Sequence, residues 1–317
     1  MPQRRHARRR AGACRADRRR REGLATRPAL LLVLLLLGGS VVARAAEPPR
    51  PLRIVSFNLL HGGVTSARLG DGERLEERLA LAIDGLRALD ADVIGLQEAS
   101  VASDRGDVAA RVADALGYHH VRASSGWRWM GWMARTFLGF EEGPAIVSRF
   151  PIMSAQVMPL DACDRGYGRV LLCATLATPW GEMDACSTHT ASSACQLRSI
   201  AALLVARHRT VPLVLTGDLN TTGGSEGSRY LRTTLGVRDT FHAANPHVDG
   251  VTVWQPVRDP ARRATRRVDF VLAAPAPDAT LRVLDSRVVL DQPGAARDGT
   301  PLWPSDHYGV LSDVVLF

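Results

Sequence analysis

Apolar runs of β type recur along this chain, each ending in one or two polar residues, and stretches of helical spacing separate them. Leu52–Asn58 (LRIVSFN) is half-alternating and rich in β-branched residues, which predicts a first strand. Between Glu73 and Leu89, apolar residues fall at Leu75, Leu79, Ala82, Ile83, Leu86 and Leu89, the three-and-four spacing of an amphipathic helix. Asp92–Leu96 predicts a buried strand ending at Gln97–Glu98, Asp107–Leu116 a second helix, and Pro144–Val147 a short strand. Tyr167–Leu176 and Glu182–His189 read as a hairpin turning through Pro179–Trp180–Gly181. A third helix is expected over Ala194–His208, with strands at Pro212–Thr216, Val268–Leu272, Leu281–Leu290 and Tyr308–Phe317. Hairpins mixed with crossovers do not fit a purely parallel doubly wound sheet. Two packed mixed β-sheets flanked by helices, an α/β architecture, bury these runs better.

Charge changes the picture less than its size suggests. The formal net charge is +8 and the pI about 10, but every basic residue is Arg. Residues 1–45 hold twelve of the 40 Arg and two of the 32 acids, leaving 28 Arg against 30 acids for 46–317. The basicity therefore belongs to the leader and implies nothing about nucleic acid. In that leader, Ala29–Ala43 is about fifteen mainly apolar residues, short of the roughly twenty that span a bilayer. With Ala43 and Ala45 offering an A-x-A site, residues 1–45 read as a signal peptide, the alternative being a retained anchor. The expectation is a secreted or cell-envelope protein with one domain over 46–317, acting as a monomer. Arg20–Arg21 is a weak hint of twin-arginine export in so Arg-rich a run. Cys163, Cys173, Cys186 and Cys195 remain beyond the leader, an even number that predicts two disulfides in an oxidising compartment. Three pairings are open, and Cys163–Cys173 with Cys186–Cys195 is the preferred one; no C-x-x-C spacing supports a zinc site.

Six polar-tipped words carry the chemistry: SFNLLHGG (56–63), GLQEAS (95–100), STHT (187–190), TGDLN (216–220), RVDFVL (267–272) and SDHYGV (305–310). Carboxylates, carboxamides and imidazoles at strand ends converge when the strands share an edge, and such a set supports hard-metal-assisted attack of water on a phosphorus ester. Any one word alone also fits a turn or a surface ion pair. GGSEG (223–227) matches the serine-hydrolase pattern around Ser225, yet no strand immediately precedes it. Asn220–Thr222 is a glycosylation sequon, which a glycan-free catalytic role for Asn220 would discount.

In this order and spacing the words resemble the endonuclease/exonuclease/phosphatase superfamily, from about Leu52 to Phe317. The resemblance implies a deoxyribonuclease-I-like four-layer α/β sandwich and hydrolysis of a phosphoric ester with Mg²⁺ or Mn²⁺. It makes Glu98 and Asp306 the metal ligands and Asn58 their helper. Asp218 matches the residue that activates water, Asn220 a donor to phosphoryl oxygens, His307 the imidazole at the transition-state phosphate, and Asp269 the carboxylate that aims it. His189 matches a histidine of the deoxyribonuclease and sphingomyelinase branches. Arg169 and Tyr167 precede a strand and stay outside this set.

Substrate identity is the least determined part. Gly126–Phe140 (GWRWMGWMARTFLGF) carries three Trp and two Phe. If exposed, it implies a membrane surface or a stacking platform. Trp129, Trp132, Met133 and Phe137 equally suit a helix packed on the core. Without a basic footprint, a lipid or small organic phosphodiester is preferred over a non-specific secreted nuclease. A toxin-type or binding subunit on the same fold is the remaining alternative.

Overall fold

The computed structural model describes residues 50–60, 74–103, 105–125, 139–163, 168–191, 193–207 and 210–317. The leader, most of the aromatic segment and Tyr167 lie outside them. The first half of the chain runs β1 (Leu52–Asn58), α1 (Leu75–Leu89), β2 (Val93–Gln97), β3 (Val101–Ala102), β4 (Gly106–Asp107), α2 (Val108–Leu116), β5 (His119–Arg122), β6 (Ala145–Ser148) and β7 (Ile152–Pro159). It continues with β8 (Val170–Thr178), β9 (Gly181–His189), α3 (Ala194–Ala206), β10 (Leu213–Asp218), α4 (Glu226–Leu235), β11 (Arg238–Asp239) and α5 (Thr240–Ala244). The last strands are β12 (Asp269–Ala274), β13 (Arg282–Val289), β14 (Gly294–Ala295), β15 (Pro301–Leu302) and β16 (Gly309–Val315).

Two six-stranded mixed sheets result, ordered β13-β16-β1-β2-β6-β5 and β11-β12-β10-β9-β8-β7. Ile54, Val93, Ile146, Leu172, Val214, Val271 and Val314 meet between them. On the outer side of the first sheet, Val55, Phe57, Ile94 and Leu96 pack against Leu79, Leu86, Val108 and Val112 of α1 and α2. On the outer side of the second, Leu215 and Phe270 pack with Leu197, Ile200 and Leu204 of α3 and Leu231 of α4. Helix, sheet, sheet, helix is the expected four-layer order. It explains why β1 alternates only in part: both of its faces are buried, each large apolar side chain contributing about 1.5–3 kcal/mol.

Gly95 lets the sheets touch near the site. A Cβ there would stand 1.7 Å from Thr216 Oγ1, so any side chain would force β2 away from β10.

Several features depart from the sequence expectations, among them strand β5 and helix α5, which no pattern announced. β7 was not foreseen because it is an edge strand with mostly exposed side chains and no apolar run. α4 was missed as well. Its N-cap is Ser225, whose hydroxyl accepts from Ser228 N, so the GGSEG word starts a helix. The disulfides are Cys163–Cys195 and Cys173–Cys186, which corrects the preferred pairing. In the β8–β9 hairpin the turn sets Thr178 opposite Gly181, and that register places Cys173 directly opposite Cys186. The other bridge ties the segment after β7 to the first turn of α3. Two disulfides are consistent with an extracytoplasmic protein. Among the described residues no helix is long and apolar enough to cross a membrane.

Candidate active site

Strand direction brings the polar words together. β1 and β2 are parallel, so Asn58 ends one strand beside Gln97, and Glu98 follows directly. β9 and β10 are parallel in the other sheet, pairing His189 with Asp218. β12 runs antiparallel to β10 and sets Asp269 opposite Asp218, while β16 starts beside the end of β1 with Val310 opposite Ser56. Asn58 joins the two sheets, donating from Nδ2 to Asp218 Oδ2 at 3.1 Å and to Glu98 Oε1 at 3.3 Å. Its own oxygen accepts from Leu60 N, so the carboxamide is fixed in one orientation.

Glu98 has φ +54° and Asn220 φ +48°, both in the left-handed region. For a glutamate leaving a strand this is a strained backbone, held by its surroundings. The bend turns the carboxylate into the cluster. Asn tolerates the conformation more readily. Asp218 accepts from Asn220 N at 2.9 Å, and Asn220 Nδ2 meets Thr190 O at 2.9 Å and His189 Nε2 at 3.0 Å. Asp218 Oδ2 also lies 3.4 Å from His189 Nε2, and His189 Nδ1 is 3.9 Å from Glu98 Oε1.

His307 lies between two carboxylates. Nδ1 meets Asp269 Oδ2 at 2.9 Å, and Nε2 stands 3.7 Å from Asp218 Oδ2 and 4.0 Å from Asp306 Oδ1. Burial disfavours the imidazolium, but Asp269 and Asp218 outweigh it and hold the pKa of His307 well above the ordinary range. Burial pushes the Asp218 carboxyl up to about 7, against the pull of His307. The consistent arrangement is a positive imidazolium between carboxylates. Asp306 is also raised, first by burial; His307 opposes this and the nearby Glu98 adds to it.

All eight residues singled out from the sequence thus form one connected cluster. Asp218, Asp269 and His307 also present ligand atoms within 4.8 Å of one another. His307, kept cationic by its carboxylate neighbours, carries a proton on Nε2 and offers no lone pair to a metal, so the oxygen pair Glu98 and Asp306 fits Mg²⁺ or Mn²⁺ better. Their mutual repulsion is what a bound cation would relieve.

Several supporting residues escaped the sequence reading. Trp254, a residue 52 % exposed, donates its indole N–H to Asp306 Oδ2 at 2.9 Å. The segment Thr252–Gln255 pairs with Asp306–Tyr308, and Thr252 Oγ1 accepts from Val268 N and Asp269 N. Arg78, fully buried on α1, donates to Leu59 O, Leu60 O and Pro304 O, bracing the turn after β1 against the segment that leads into Asp306. A signal existed for Arg78: it falls on the apolar stripe between Leu75, Leu79 and Ala82, where a guanidinium needs a buried partner. Arg169 donates to Glu142 Oε1 at 3.3 Å, while Glu142 Oε2 has no hydrogen-bond partner. Burial pushes Glu142 up to about 7; Arg169 opposes this and Glu98 adds to it.

The profile of the Endonuclease/Exonuclease/phosphatase family matches residues 55–307. The chain belongs to the endonuclease/exonuclease/phosphatase family. Members hydrolyse phosphoric esters with divalent metal, and this endonuclease/exonuclease/phosphatase protein is a phosphoester hydrolase. No curated protein sequence matches the chain. Solved structures share its fold. A family protein from Bacteroides thetaiotaomicron has a TM-score of 0.65 at 19% identity, covering 86% of this chain and 100% of its own. A mannosyl-6-phosphatase of the same species has a TM-score of 0.62 at 20% identity, covering 83% and 99%. TDP2 of D. rerio, complexed with a single-strand DNA product, has a TM-score of 0.60 at 15% identity, covering 84% and 100%.

Proposed function

We propose that this protein is an exported phosphodiesterase, acting as a monomer on a lipid or small organic phosphodiester. The observation that carries the reading is the Asn58 link between the two sheets, which joins Glu98 to the Asp218–His307–Asp269 triad. Glu98 and Asp306 would hold Mg²⁺ or Mn²⁺, aimed by Asn58 and by the Trp254 indole respectively. Bound there, the cation supplies positive charge to a phosphoryl oxygen. Asp218, ionised beside the imidazolium, takes the proton from an attacking water. His307, held by Asp269, offers Nε2–H to the charge that develops on the phosphate. Asn220 reaches a phosphoryl oxygen once a substrate displaces one of its two present hydrogen bonds.

Electrostatics favour a small or lipid ester over a nucleic-acid strand, because 46–317 carries 28 Arg against 30 acids and no broad basic face is implied. The test is a metal-supplemented panel of plasmid DNA, RNA, sphingomyelin, phosphatidyl lipids, bis(p-nitrophenyl) phosphate and phosphomonoesters. Turnover of the diesters well above the polymers is expected. Selective turnover of DNA or RNA would replace this reading with a secreted nuclease, and inactivity on all substrates would favour a binding or toxin-type subunit. Liposome co-sedimentation with and without Trp129 and Trp132 reads membrane contact through Gly126–Phe140.

A further inference from the structure

A cleft of about 620 Å³ is lined by segments that follow and precede residues of the catalytic cluster in the chain. Two of its walls are direct continuations of site segments: Thr222–Gly224 follows Asn220, and Thr265–Arg267 leads into Asp269. The third wall is Pro246–Asp249. At its floor Arg267 forms a two-pronged pair with Asp239 at 3.0 and 2.7 Å and stacks 4.6 Å from the Phe270 ring centroid. That pair is neutral and rigid. Gly223 lies over it, and a Cβ there would come within 3.3 Å of Arg267 Nη2, so the missing side chain keeps the floor accessible.

The remaining charges are not balanced. Arg232 and Arg266 face the single carboxylate of Asp249. Arg232 spends one donor on Gly223 O at 2.9 Å. Arg266 uses only its backbone in hydrogen bonds, and its exposed guanidinium has no partner among the described residues. A free fork of N–H donors in a net positive cleft matches a phosphate, whose oxygens it can bind two at a time. It disfavours a quaternary ammonium headgroup. The volume suits a sugar-sized group, within the range of about 300–1,000 Å³ usual for small ligands.

We infer that this cleft is a subsite for a second phosphate, carried on the non-reacting arm of a small diester. The inference rests on the phosphodiesterase reading above and narrows its substrate class. The test compares thymidine 5′-(p-nitrophenyl phosphate) with the same ester bearing a 3′-phosphate, using the full chain and excess Mn²⁺. The native protein should prefer the 3′-phosphorylated ester in kcat/KM, and Arg266→Glu should shrink that preference at least about 10-fold, with Arg266→Ala between. No preference in the native protein, or an equal one in Arg266→Glu, overturns the subsite. If neither ester is cleaved, the hydrolytic reading of the cluster has failed for diesters, and calorimetric titration with thymidine 3′,5′-bisphosphate in chelator decides the subsite separately. Binding weakened at least about 10-fold by Arg266→Glu then supports it; absent or unaltered binding rejects it.

Discussion

His307 is held between Asp269, 2.9 Å from Nδ1, and Asp218, 3.7 Å from Nε2, so one imidazole ties the start of β12 to the end of β10. The two carboxylates keep the ring cationic despite its burial, which leaves Nε2–H directed into the cluster. Removing either neighbour should therefore cost far more than an ordinary hydrogen bond. Asp218→Ala, His307→Ala and Asp269→Asn are each expected to lower kcat at least about 10²-fold, the scale of acid–base or electrostatic assistance. Steady-state kinetics on bis(p-nitrophenyl) phosphate measures this. Near-native turnover in any of the three would mean that the triad is structural.

Metal dependence is expected to follow Glu98. Excess chelator should abolish hydrolysis, and Mn²⁺ or Mg²⁺ should restore it. In Glu98→Gln the half-saturating metal concentration should rise at least about 10-fold, and Trp254→Phe, which removes the donor to Asp306, should move it in the same direction by less. Activity that survives chelation, or metal titrations that coincide for all three proteins, would rule out this site.

Arg78 should matter for stability through the hydrogen bonds its guanidinium donates to the carbonyls of Leu59, Leu60 and Pro304. Charge-assisted hydrogen bonds contribute about 1.5–3 kcal/mol, and truncation strands the buried carbonyls. Arg78→Ala is expected to lose about 3 kcal/mol or more in urea unfolding. A loss below about 0.5 kcal/mol, the range of neutral surface changes, would show that the carbonyls find other partners.

Glu142 makes stability depend on pH. Its folded pKa of about 7 lies above the ordinary value of 4.5, so the folded state holds the proton more tightly. Stability from this group is therefore present below about pH 4.5 and is lost as pH rises towards 7, by at most about 3 kcal/mol. Glu142→Gln cannot lose a proton. Relative to the native chain, it should gain stability between those pH values in chelator-containing buffer. Parallel stability curves for the two proteins would refute the burial argument.

Local pattern was enough for much of this molecule. The apolar run of β1, the helical spacing of α1 and the polar words at strand ends follow from which residues sit next to one another. Those signals are carried by periods of 2 and 3.6. The eight side chains of the cluster were legible for the same reason, since each lies at a strand end or within three residues of one. The Cys173–Cys186 bridge was not read this way, because it depends on the exact hairpin register, with Thr178 opposite Gly181, which the expected turn through Pro179–Trp180–Gly181 does not give.

What tertiary structure decided involves chain segments that no local period relates. The Trp254 indole reaches Asp306 across 52 positions, Arg78 reaches Pro304 across 226, and Cys163 finds Cys195 after an edge strand that leaves no apolar signature. The polar cleft lined by Arg232 and Arg266 likewise exists only once α4 and the segment before β12 are packed side by side. A sequence specifies periodicity residue by residue, whereas such contacts depend on how two sheets stack and on which loops their edges bring within a few ångströms.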